Sequence, residues 1–97
     1  MKINVTSNDI QRGKAGEPCW CPVARAIRRA GRAHKIRVSA DEERISIGYS
    51  RIGKQSISVS TPPKVSRFIA EYDMCIPVEP FTFELNLRLE MEGHELR

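Results

Sequence analysis

The segment order β-α-α-β-β-β-α-β predicts an α+β fold. It would be one domain over residues 1–97, a mainly antiparallel sheet with its helices on one face. Three observations carry that expectation. Apolar and polar residues alternate strictly in several stretches, most clearly from Phe81 to Glu90. The middle alternating stretches are joined by loops too short for a parallel crossover. Between these stretches lie segments with helical start and stop signals and a helical spacing of apolar residues.

Taken in order, Lys2 to Thr6 place Ile3 and Val5 on one side and Lys2 and Asn4 on the other, the pattern of a short half-buried strand. Thr6-Ser7-Asn8-Asp9 then offers N-cap residues and a Thr-x-x-Asp variant of the capping box, and Gly13 is placed to end the helix after a turn or two. Lys14 to Pro18, with Gly16 and Pro18, is a loop. A second helix has Cys21 as N-cap and Pro22 in its first turn, with Gly31 closing it in a left-handed conformation. Within it Val23, Ile27 and Ala30 fall inside about 60° of arc with Ala26 on the flank, a narrow stripe of small side chains able to lie close to a sheet.

Three strands follow: Ile36, Val38 and Ala40 mark the first, Ile45, Ile47 and Tyr49 the second, Ile57 and Val59 the third. Asp41-Glu42-Glu43 and Arg51-Ile52-Gly53-Lys54 connect them as antiparallel hairpins. Their other face carries Lys35, Arg37, Ser39, Arg44, Ser46, Ser56, Ser58 and Ser60 and is polar enough to meet water. A third helix starts at Thr61-Pro62-Pro63 with Thr61 as cap, and Val65, Phe68, Ile69 and Tyr72 form its apolar face. It has ended by Pro77 and Pro80. The last strand, with Phe81, Phe83, Leu85, Leu87 and Leu89 on one face, should be central or well covered, which completes a five-stranded sheet. Residues 91–97 read as a loose tail.

At 97 residues there is room for one hydrophobic core. No apolar run reaches the ~18–20 residues that span a bilayer, and the first residues lack the apolar stretch of a secretion signal, so no membrane partner is expected. Cys19, Cys21 and Cys75 cannot all pair within one molecule, which fits a reducing cytoplasm.

The net charge of +4 favours anionic partners, and its distribution says more than its total. On the second helix Arg25, Arg28, Arg29 and Arg32 project within about 100° of arc, with Lys35 and Arg37 just beyond. Guanidinium forks suit phosphate oxygens, so this face is a candidate nucleic-acid or anion-binding surface. The plainer alternative is a solvated helix face, or one that meets an acidic protein; the helix itself has no acid to pair with its arginines. Trp20, just ahead of the helix, is a candidate protein-binding anchor. Cys21 sits where a helix N-terminus lowers a thiol pKa, although such cysteines more often serve as small buried groups. No metal is expected, because Cys19, Cys21, Cys75, His34 and His94 lack the paired spacing of a zinc site. No catalytic residues and no cofactor are assigned: nucleophile, base and orienting acid cannot be assembled, and no glycine-rich phosphate loop occurs.

Val5-Thr6 with Ile10, the Cys21-Pro22-Val23-Ala24 helix start, and the ending Pro77-Val78-Glu79-Pro80-Phe81-Thr82-Phe83-Glu84-Leu85 resemble small uncharacterised proteins of bacteriophages and prophages. The likeness spans most of the chain, in structural signatures that transfer no functional residue. It implies a viral accessory protein inside a bacterial host cell, one that acts on host nucleic-acid transactions or blocks host defences. Two functions are therefore expected as rivals. One is a nucleic-acid or nucleoprotein binder that uses the arginine face. The other is a protein–protein inhibitor of a host defence complex without direct nucleic-acid binding. An unpaired sheet edge also leaves room for a homodimer.

Overall fold

A computed structural model describes residues 1–31, 36–49 and 55–85, with the backbone alone at 49, 55 and 56. Its elements are β1 (Lys2–Val5), α1 (Ser7–Arg12), α2 (Pro22–Ala30), β2 (Ile36–Ala40), β3 (Arg44–Tyr49), β4 (Gln55–Ser60), α3 (Pro63–Asp73) and β5 (Phe81–Glu84). The α+β class and the element order are those the sequence predicts. Arg32, Lys35, the second hairpin connection, the continuation through Leu87 and Leu89, and the tail over 91–97 lie outside the described residues.

The strands form two antiparallel sheets rather than the single five-stranded one expected. β1 pairs with β5 in the register Ile3↔Phe83 and Val5↔Phe81, and a reciprocal pair of bonds between Met1 and Leu85 extends the ladder. β2, β3 and β4 form the predicted meander, with Val38↔Ile47 and Ile47↔Ile57 on the inner face. Among the described residues β5 has β1 as its one neighbour, so the apolar face that marked it as central is covered by packing instead. α2 bridges the two sheets, touching both β1 and β2. Small side chains make that possible: Val23, Ala24, Ala26 and Ile27 are buried, while Ala30, assigned to the same stripe by the wheel, is exposed. One core unites the pieces, from Ile3, Val5 and Ile27 through Val38, Ile45 and Ile47 to Val65, Phe68, Ile69 and Phe83.

The local signals differ in how they are used. Thr6 and Asp9 form the expected capping box, and α1 stops at Gly13. A Cβ on Gly13 would stand 2.8 Å from Pro22 Cδ and 2.9 Å from the Asp9 carbonyl, so glycine there lets α1 approach the start of α2. Gly31 is the cap residue of α2 at φ −104°, not in the left-handed region expected, and its N–H bonds the Ile27 carbonyl. Thr61 does not cap α3. Its hydroxyl donates to the Asp41 carbonyl at 2.8 Å, tying the first hairpin to the end of β4, and Pro62 takes the cap position with no side-chain bond. At the other end of α3, Cys75 stands at φ +64° while its N–H and that of Ile76 bond the carbonyls of Tyr72 and Glu71. This is a Schellman close with cysteine where glycine is usual.

Candidate functional site on the arginine helix

The start of α2 is anchored by Cys21. Its sulfur accepts the Ala24 N–H at 3.5 Å, and the thiol lies 3.6 Å from the Ala40 carbonyl, which joins the helix N-terminus to β2. Burial pushes this thiol's pKa up, the reverse of the lowering a helix N-terminus suggested, because desolvation outweighs the nearby N–H groups. Cys21 is a buried cap, not a reactive thiolate.

In the last turn of the helix, Arg29 meets a residue from another element. Its Nη1 donates to Asp9 Oδ1 at 2.7 Å and its Nη2 to Asp9 Oδ2 at 2.8 Å, the two-pronged geometry in which guanidinium and carboxylate match best. Nη2 also donates to the Asn4 carbonyl at 2.8 Å. Asp9 is wholly buried, and it accepts further bonds from the Thr6 backbone N–H at 2.9 Å and the Thr6 hydroxyl at 3.1 Å. Burial alone would raise its carboxyl, but the Arg29 and Thr6 bonds hold it below the ordinary carboxylate value. The same pairing raises the Arg29 guanidinium. Arg29, expected as a phosphate ligand, is thus already engaged in joining β1, α1 and α2. Nothing in the residue pattern signals this pairing, because Asp9 is fully accounted for locally as the far end of a capping box.

Arg25 sits one turn earlier on the same side. Its Nε lies 3.6 Å from Asp9 Oδ1, near enough to share the charge and too far for a hydrogen bond, and that buried N–H has no acceptor. Arg28 points elsewhere. It donates to the Cys19 carbonyl, and its guanidinium carbon stands 4.6 Å from the centre of the Trp20 ring, within cation–π reach. Trp20 is 51% exposed and is held in place by backbone bonds to Glu17 and Lys14. Arg12, one turn beyond Asp9 on α1, bonds neutral Asn8.

Of the residues expected to form one continuous basic surface, Arg25, Arg28 and Arg29 lie on α2, whereas Arg37 does not join them. Ile36, Val38 and Ala40 of β2 face the core, so Arg37 is on the outer side of the strand, where its guanidinium lies over Gly48. Arg32 and Lys35 are outside the described residues. What remains around α1 and α2 is a set of guanidiniums, Arg12, Arg25, Arg28 and Arg29, with Asp9 as the single carboxylate in salt-bridge range among the described residues. Such a surface keeps an excess of positive charge that favours anionic groups.

Other regions hold less chemistry. Among the described residues no three metal-ligating side chains gather, and no helix is long and apolar enough to cross a membrane. A shallow open groove of about 270 Å³ runs between α3 and Pro77–Pro80, lined by Lys64, Arg67, Glu71 and Phe81. No residue singled out in the sequence for chemistry lines it. No protein-family model matches the chain, and no curated protein or solved structure does either.

Proposed function

We propose that this protein is a small accessory binding protein whose α1–α2 surface contacts the phosphate backbone of a nucleic acid or nucleoprotein. One observation carries the reading: a single carboxylate, Asp9, serves both Arg25 and Arg29, and Arg28 has no acid within salt-bridge range among the described residues. Arg29 acts as the fixed post that seats α2 against α1, and Arg12, Arg25 and Arg28 supply the charge. A role inside a host bacterium agrees with the phage resemblance.

With three phosphate contacts, affinity for an oligonucleotide should fall about 40-fold between roughly 50 and 200 mM salt, at about 0.9 counterion released per contact. The test is fluorescence anisotropy of labelled single- and double-stranded oligonucleotides in rising salt, with wild type and Arg25→Ser/Arg28→Ser. The double variant should bind more weakly with a shallower salt slope. No retention of any oligonucleotide at low salt would remove this function.

A second reading, occlusion of a host protein complex, is favoured by the half-exposed Trp20 beneath Arg28, since tryptophan and arginine dominate protein interfaces energetically. Under that reading Trp20→Ala abolishes capture of a protein from nuclease-treated lysate. Under the first it leaves the salt slope unchanged.

A further inference from the structure

We infer that the outer edge of β4 is a self-association surface, on which a second copy of this chain adds its own β4, antiparallel, about a twofold axis at Ser58. The inference does not rest on the helix reading, since no residue of α1 or α2 takes part.

A sheet edge presents unpaired backbone N–H and C=O groups, and folds cover or guard such edges. Three of the four edge strands of the two sheets are engaged by the molecule's own groups. On β1 the Asn4 carbonyl accepts Arg29 Nη2 at 2.8 Å, and on β5 the Thr82 carbonyl accepts Lys64 Nζ at 3.3 Å. On β2 the Ala40 N–H donates to the Pro18 carbonyl at 3.0 Å, while the Ala40 carbonyl lies 3.6 Å from the Cys21 thiol. β4 has no such cover among the described residues, and Gln55–Ser60 contains neither a charge nor a proline to deter pairing.

The ladder shows which groups are left over. The Thr61 N–H bonds the Glu43 carbonyl and the Asp41 N–H bonds the Arg44 carbonyl, each at 3.0 Å. By the alternation of antiparallel pairing, Ile57 and Val59 therefore exchange bonds with β3, whereas Ser56, Ser58 and Ser60 aim theirs away from it. Set against its own copy about Ser58, the strand puts Ser56 opposite Ser60 and Ser58 opposite Ser58, so that every outward donor meets an outward acceptor. On the inner face Ile57 then lies beside Val59 of the second copy, and it covers a side chain that is only partly buried in the single chain.

The same symmetry argues for a copy rather than a foreign strand. This edge asks for branched aliphatic residues on the inner face and small polar ones on the outer, and Ser-Ile-Ser-Val-Ser meets that demand read in either direction. The strand is also uncharged in a chain that carries +4, so neither β4 repels the other. Arg44, held over Ser58 by its 2.7 Å bond, faces its own copy across the axis. Association should therefore tighten as salt rises, the opposite of a hold on phosphate.

The test is sedimentation equilibrium of the nuclease-treated full chain over a concentration series at low and raised salt. Wild type should show a reversible monomer–dimer equilibrium that shifts toward dimer with salt. Ser58→Pro removes an outward N–H and no bond to β3, and it should lose the dimer while thermal unfolding shows it folded. In a Cys19→Ser/Cys75→Ser background, Ser58→Cys should cross-link into a disulfide dimer on mild oxidation, because facing residues of a bonded pair have Cα atoms about 5.5 Å apart. Ser39→Cys, on the same sheet face but on β2, should not. A wild type that stays monomeric up to its solubility limit would overturn the inference. So would a dimer that raised salt dissociates, one that folded Ser58→Pro retains, or cross-linking through Ser39→Cys in place of Ser58→Cys. Arg25→Ser/Arg28→Ser should dimerise as wild type does, so this surface and the helix surface fail separately.

Discussion

Asp9 is the residue on which the local arrangement turns. It closes the capping box at the start of α1 and, with no exposed surface, takes both forks of Arg29. Because Arg29 is itself 44% exposed, the pair is partly screened and falls below the fully buried range, so Asp9→Asn should cost about 2 kcal/mol at neutral pH. The sign with pH follows from a folded-state carboxyl held below its unfolded value of 3.8. The stabilisation is complete above that value and is lost as pH falls through the lower folded one. Urea unfolding of wild type and Asp9→Asn should therefore show a gap that is constant near neutrality and closes below about pH 4. A gap independent of pH would mean that the carboxylate charge contributes nothing. This partnership was not legible in the sequence, since a long-range ion pair leaves no periodic signal and Asp9 already had a local explanation.

At the scale of elements, α2 was the best marked. Its cap, its first-turn proline and its end all fall where the signals place them. Its buried face shifted toward Ala24 and away from Ala30, because the helix packs against two sheets at once and turns the face that serves both. The cap of α3 was misplaced, because the Thr61 hydroxyl found a carbonyl across the hairpin rather than its own helix. The C-terminal end of α3 makes its own prediction. Cys75 occupies the left-handed position of a Schellman close, at φ +64°, where a side chain costs on the order of 1 kcal/mol relative to glycine. Cys75→Gly should raise the free energy of unfolding by up to about 1 kcal/mol in a denaturant melt. A loss of stability there would show that the cysteine side chain makes contacts that outweigh its backbone strain.

For the whole molecule, alternation along the chain gave the class, the element order and the identity of the core, because a period of two has one structural meaning on a half-buried strand. It could not reveal that the strands divide into two sheets, since β5 reads as equally apolar whether it lies inside one large sheet or, as here, pairs with β1 alone and packs against α3. The surface followed the same division. Four arginines at helical spacing were legible as a basic stripe, but folding brought Asp9 against Arg29 and put Arg37 on the far side of the meander. The molecule thus uses some arginines to hold its elements together and turns others outward. Paired measurement of unfolding free energy and oligonucleotide affinity for Arg29→Met and Arg28→Ser tests that division most directly. Arg29→Met should lose about 2 kcal/mol of stability by leaving Asp9 buried without its partner, while Arg28→Ser should unfold within about 0.5 kcal/mol of wild type and bind more weakly. Equal stability in the two variants, or undiminished binding by Arg28→Ser, would contradict the account.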